Sequence, residues 1–146
     1  MASFPTALFL REPEVRRGLE LLFGGQAALA RATQPILDGA RLGRAHQRAL
    51  YFIGRYPDET VGALLTRLGI TKQSLNRVLN DLVERELVEM RIGRTDRRQR
   101  LLRLTGSGHA LEAELFDAMR AQLAAAYAKA GQQAVGGFWA VLEGLV

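Results

Sequence analysis

Gln73, Asn76, Arg77 and Asn80 stand at i, i+3, i+4 and i+7, a spacing that gathers side chains on one helical face. Arginine carries a planar fork of donors, and the amides of Asn and Gln set a donor beside an acceptor. Such a face suits the hydrogen-bonding edges of bases, arginine on guanine and amide on adenine. Thr71, Lys72 and Ser74 open the same segment. There the free N–H groups of a helix N-terminus add to their capacity to hold phosphate. A solvated surface face would carry similar residues. What argues against that account is the lack of Asp or Glu in the N-terminal half of the face, since Asp81, Glu84 and Glu86 all come later.

A second cluster lies downstream. Residues 91–103 hold Arg91, Arg94, Arg97, Arg98, Arg100 and Arg103 against one acid, Asp96. The segment's net charge of +5 equals that of the whole chain, so the remainder is neutral overall. Every base in it is arginine, the better fork for phosphate and the residue that suits a narrow minor groove. A lone carboxylate weakens an anion-binding loop. Asp96 therefore reads either as a brace that preorganises Arg98 or as an ordinary turn residue.

These clusters need elements to position them. Val61, Leu64, Leu65 and Leu68 mark a short helix capped by Thr60 and ended by Gly69. Glycine permits the tight turn at φ > 0, and Ile70 can anchor that turn in the core. Thr71 caps the next helix, whose buried face would be Leu75, Val78, Leu79 and Leu82. Val88–Ile92 and a run centred on Leu102–Leu104 alternate with period two, predicting a two-stranded hairpin whose basic loop is Gly93 to Arg100. Upstream, a long helix is expected over residues 11–37, bent or interrupted at Gly24-Gly25 and Pro35, and a second over 42–56 that stops at Pro57-Asp58. Downstream, Thr105-Gly106-Ser107-Gly108 starts a long Ala-rich helix with Leu111, Leu115, Met119, Leu123 and Tyr127 every four residues. A last helix carries Phe138, Trp139, Leu142 and Leu145. These apolar terminal helices are poorly suited to water and predict a homodimer interface, although an intramolecular helical pair would also bury them.

The residues Leu68-Gly-Ile-Thr, Val78 to Val88, Asp96-Arg97-Arg98 and Leu102-Arg-Leu-Thr105-Gly-Ser-Gly108 resemble the MarR family of winged helix-turn-helix regulators. That family has an Asp-x-Arg wing followed by a Leu-Thr-x-x-Gly helix start, matched here by Asp96, Arg98, Leu104, Thr105 and Gly108. The resemblance implies that Arg98 enters the minor groove and residues 71–77 the major groove, and that a small-molecule effector binds between the lobes. Arg44, His46, Arg48 and Tyr51 are the candidate effector residues, with Phe52 beside them. His46 also reads as a plain interlobe hydrogen-bonding group. Two departures stand out. Many members carry a basic residue and then glycine where this chain has Glu86-Leu87, and the first helix looks short and interrupted by glycine.

Other chemistries find no support. The chain has no cysteine, which removes disulfides, Cys-ligated metal and thiol sensing, and its two histidines, His46 and His109, are too few for a metal site. No Gly-rich phosphate loop or nucleophile–His–acid set is present, so neither an enzyme nor a cofactor is expected. Glu12 and Glu14 read as first-turn helix charges. No apolar run approaches the ~20 residues that span a bilayer, and Met1–Pro5 lacks the features of a signal peptide. A cytoplasmic protein with no membrane partner is expected.

The expected fold is mainly α with a small β-hairpin: a winged helix-turn-helix lobe over 41–104, flanked by dimerisation helices over 1–40 and 105–146. The expected function is sequence-specific binding of double-stranded DNA by a homodimeric transcriptional regulator, a repressor on a palindromic operator. The DNA-contacting residues would be Thr71, Lys72, Gln73, Ser74, Asn76, Arg77, Arg94, Asp96, Arg97, Arg98 and Arg100. The alternative is a winged-helix module that binds an acidic protein partner or RNA.

Overall fold

The computed structural model describes residues 7–146; the Met1–Pro5 segment considered above lies outside them. The elements in order are α1 (Glu12–Ala40), α2 (Arg44–Arg55), β1 (Glu59–Thr60), α3 (Val61–Leu68), α4 (Lys72–Glu84), β2 (Val88–Ile92), β3 (Arg100–Leu104), α5 (Gly106–Ala130) and α6 (Gln132–Glu143). A single 3-10 turn, Leu8–Leu10, precedes them.

Local chemistry sets the boundaries of the central lobe. The hydroxyls of Thr60, Thr71 and Thr105 accept the N–H groups of Ala63, Ser74 and Gly108, satisfying one orphan donor at the start of α3, α4 and α5. Gly69 ends α3 at φ 60°, a conformation that costs glycine nothing. Leu64, Leu68, Leu75, Leu79, Leu82, Leu102, Leu104 and Leu115 are all less than 5% exposed and form one core under α2, α3, α4 and the sheet. Each such side chain contributes roughly 1.5–3 kcal/mol of burial.

The sheet has three antiparallel strands in the order β1-β3-β2 rather than two. β2 and β3 pair from Val88↔Leu104 to Ile92↔Arg100, and β1 adds Glu59↔Leu102 and Thr60↔Leu101 on the other edge of β3. The extra strand is held from outside by Arg103, whose guanidinium forks onto both carboxylate oxygens of Asp58, with Nε at 3.1 Å. That pairing holds the Asp58 carboxyl below its ordinary range.

One expectation about the helices is corrected. α1 is one continuous helix of 29 residues, neither short nor broken at Gly24-Gly25. Pro35 lies inside it. The turn ahead of Pro35 is clamped by Arg44 of α2, which donates to the Ala30 carbonyl, the Thr33 hydroxyl and the side chains of Gln34 and Gln47. The exit from α4 carries the Glu86-Leu87 departure noted in the sequence. The left-handed residue there is Glu86, at φ 59°, and Leu87 continues inward against the core. The Thr105 hydroxyl donates to the Glu86 carbonyl at 2.6 Å. Gly108 passes so close that a Cβ on it would lie 2.0 Å from the Leu87 carbonyl oxygen. The start of α5 is thus keyed to the end of α4.

α5 runs back along α1 and α2, and α6 folds onto α5 through an aromatic corner. There Trp139 Nε1 donates to the Tyr127 hydroxyl at 2.9 Å, and Phe138 meets the Tyr127 ring edge-on. Apolar side chains stay exposed in both terminal segments: Phe9, Val15, Leu19 and Phe23 in the first, Trp139, Val141 and Leu145 in the last.

Candidate nucleic-acid interface and adjoining cavity

α3, the Leu68–Thr71 turn and α4 form a helix-turn-helix. α4 buries Leu75, Val78, Leu79 and Leu82 and exposes Lys72, Gln73, Ser74, Asn76, Arg77 and Asn80, the division expected from their spacing. Thr71 is exposed too. Its hydroxyl accepts the Ser74 N–H at 3.1 Å and donates to the Ser74 hydroxyl at 2.9 Å, which caps one of the orphan amides of α4 and leaves those of Lys72 and Gln73 without an intrahelical acceptor. The acid-free stripe is therefore presented whole. Asp81, the first acid along α4, is turned aside to His46 and Arg85.

The hairpin loop stands beside this stripe. Lys72, Asn76 and Asn80 of α4 face Arg98, Gln99 and Arg100 across an open groove of about 830 Å³. Asp96 closes the loop: its Oδ1 accepts the Arg98 backbone N–H at 3.0 Å and its carbonyl accepts the Gln99 N–H at 3.1 Å. The Arg98 guanidinium also approaches Asp96, at the longer distance of 3.4 Å, and is 94% exposed. Asp96 therefore acts on the loop backbone more than on the charge. Arg91 and Arg103 behave differently from the tip. Glu89 holds Arg91 at 3.1 Å and Asp58 holds Arg103, so these two arginines are structural, while Arg94, Arg97, Arg98 and Arg100 project.

On the far side of α2 lies a cavity of about 460 Å³, within the ~300–1,000 Å³ typical of small-molecule sites. α2 supplies Gln47, Arg48, Tyr51 and Phe52, α1 supplies Leu29, and α5 forms the opposite wall from Phe116 to Tyr127. Of the four candidate effector residues, Arg48 and Tyr51 line it; Arg44 and His46 do not. Arg44 is spent on the clamp to α1. His46 Nδ1 accepts the Gly43 N–H at 3.1 Å, which leaves Nε2 to donate to Asp81 at 2.8 Å. His46 is thus a hydrogen-bonding group that joins α2 to α4 inside the 41–104 lobe, not one between lobes.

A protein from Rhodobacter capsulatus described as HTH-type transcriptional regulator PetP is 48% identical over 141 residues, spanning 97% of this chain and 85% of that protein. The model of the MarR family matches residues 42–99, from the start of α2 to the end of the wing loop.

The chain belongs to the MarR family.

It is accordingly a DNA-binding transcription regulator and not an enzyme. Solved MarR-type structures share the fold at low identity. Streptococcus pneumoniae FabT in complex with DNA superposes with a TM-score of 0.74 at 19% identity, over 92% of this chain and 94% of that one. NadR in complex with 4-hydroxyphenylacetate superposes with a TM-score of 0.76 at 21% identity, over 97% of each chain. Among the described residues, no helix is long and apolar enough to cross a membrane.

Several residues that shape the cavity were not visible in the sequence as site residues. Gln47 is 7% exposed; it accepts from Arg44 at 3.0 Å and donates to the Met119 sulfur at 3.4 Å, forming the polar floor of the cavity. Met119, Leu123 and Tyr127 had read only as a helical stripe. Leu115 of that stripe enters the core, and the next three line the cavity. The change of role along one stripe depends on how far α2 extends beside α5, which no local pattern records.

Proposed function

We propose that this MarR-family chain acts as a homodimeric repressor on a palindromic operator, with α4 in the major groove and the Arg98 loop in the adjoining minor groove. The observation that carries the reading is the shared groove. The acid-free face of α4 and the arginine tip of the wing border one opening, and Asp81, Glu89 and Asp58 are held by His46, Arg91 and Arg103. Thr71, Lys72 and Ser74 suit phosphate; Gln73, Asn76 and Arg77 suit base edges; Arg94, Arg97, Arg98 and Arg100 suit the sugar-phosphate backbone and minor groove. Two such units on half-sites a helical turn apart would gain what one lacks. The apolar faces of α1 and α6 are the surfaces that would pair. A cytoplasmic location follows from action on the chromosome.

An effector in the cavity is part of the same reading. Apolar walls with Arg48, Arg120 and Tyr51 beside them suit a small aromatic or aliphatic acid. The 4-hydroxyphenylacetate held by NadR has this chemistry.

Selection of genomic fragments on the full chain tests the proposal. Enrichment of a palindrome with half-sites about ten base pairs apart is expected, together with a two-chain mass in sedimentation. Enrichment of RNA or of an acidic protein instead, or a monomer on the selected duplex, would overturn it.

A further inference from the structure

Arg48 faces two ways. Its side chain forms part of the cavity wall, and its Nη2 donates to the Leu68 carbonyl at 3.0 Å. Leu68 is the last residue of α3, one of the four carbonyl groups that a helix end leaves without an internal partner. The next residues, Gly69, Ile70 and Thr71, are the turn that aims α4. A cation on a helix C-terminus is favourable both as a hydrogen bond and against the helix dipole. The turn therefore takes its cap from a cavity residue.

We propose that Arg48 is a positioning residue for α4, and that an anion bound in the cavity acts by drawing its guanidinium away from Leu68. A carboxylate is a stronger acceptor for guanidinium than a peptide carbonyl, because the bond is charge-assisted on both sides and can be bidentate. Leu68 loses its cap in the exchange, and the turn that orients α4 loosens. No rigid-body movement of the lobes is required. The neighbouring strut from α2, His46 to Asp81, points away from the cavity and is untouched by the exchange. The coupling rests on the DNA-reading role given to α4 above, but its first test needs no DNA.

Amide hydrogen exchange on the full chain provides that test, comparing the native protein with Arg48→Met, which keeps the apolar stem and removes the donors, and with Arg48→Lys, which keeps one charged donor group. Exchange over residues 69–75 should rise about tenfold in Arg48→Met, with α5 unchanged, and Arg48→Lys should recover part of the protection. Millimolar 4-hydroxyphenylacetate should speed the same amides in the native protein and leave Arg48→Met unaffected. On the duplex selected above, Arg48→Met without the acid should bind as weakly as the native protein with it. Native exchange rates in Arg48→Met would overturn the positioning role. Faster exchange in Arg48→Met with no response of the native protein to the acid would overturn the anion mechanism. Failure to select any duplex would count against the DNA reading and leave the exchange result standing.

Discussion

His46 Nε2 donates to Asp81 Oδ2 across 2.8 Å, joining the first turn of α2 to the outer half of α4. The ring is fixed at both ends, since Nδ1 accepts from Gly43. Burial pushes the Asp81 carboxyl up, but the hydrogen bonds from Arg85 and His46 outweigh it and hold the group below its ordinary value. A partly buried bond of this kind is worth about 1 kcal/mol, so His46→Ala should lower Tm by roughly 2–4 °C. Thermal unfolding by circular dichroism measures it, and an unchanged Tm would show that the bridge carries no stability.

The wing separates charge from geometry. Counting charge, Asp96→Ala adds one unit of positive charge and should tighten binding to DNA. The bonds from Asp96 to the loop backbone argue the reverse. With the loop released, ordering it on DNA costs about 0.5–1.5 kcal/mol per immobilised side chain, so affinity should fall by roughly two- to tenfold. Arg98→Ala should lower affinity for all duplexes alike and reduce the salt slope by about one, whereas Arg77→Ala should alter sequence preference. Titrations at three salt concentrations distinguish the cases; tighter binding by Asp96→Ala would refute the loop-closure account.

Glu86 occupies a left-handed conformation at φ 59°. For a side chain with a Cβ this costs about 1–2 kcal/mol, partly offset in a glycine variant by the greater freedom of its unfolded chain. Glu86→Gly should therefore stabilise the protein by about 0.5–1 kcal/mol in urea denaturation. Destabilisation would mean that the Glu86 side chain makes a favourable contact outweighing its backbone strain.

Glu112 on α5 has its carboxyl pushed up by burial, partly countered by His109. A carboxyl raised in the folded state binds its proton more tightly there than in the unfolded chain. It therefore detracts from stability above its folded pKa, and this cost disappears as pH falls below the unfolded value. Glu112→Gln should raise Tm at pH 7 and leave it unchanged near pH 4. The opposite pattern would be expected of Asp58 and Glu59, which Arg103 and Arg67 hold below their ordinary values; their contribution is present at neutral pH and lost in acid. Calorimetry of Glu112→Gln at both pH values checks the sign.

The parts of the fold legible in the sequence are those written within a few residues. Thr60, Thr71 and Thr105 each satisfy an amide three positions on, and the α4 stripe follows from helical spacing alone. The two-residue strand β1 has no alternation to read and exists because Asp58 and Leu102 meet across 44 positions, where the Asp58 N–H donates to the Leu102 carbonyl. Arg44 and Arg48 share one face of α2, yet Thr33 and Ala30 of α1 claim the first and the cavity takes the second. Gly24-Gly25 and Pro35 are poor helix residues by propensity, yet α1 runs through all three without a break, and the Arg44 clamp beside Pro35 comes from another helix.

α1 extends 29 residues, a rod of about 43 Å. Its C-terminal carbonyl at Ala40 accepts from Arg85, the residue just beyond α4, at 2.7 Å. The rod is thus joined at that end to α4, the helix proposed to read DNA, and further along to α2 through Arg44. A tilt of about 10° at that end would carry the far tip through roughly 7 Å, a fifth of the ~34 Å between half-sites one helical turn apart. In the proposed dimer, mechanical gain of this size lets a few degrees at Ala40 decide whether two reading helices fit the same duplex, and it makes Arg85 a place where small substitutions would change operator spacing more than operator sequence.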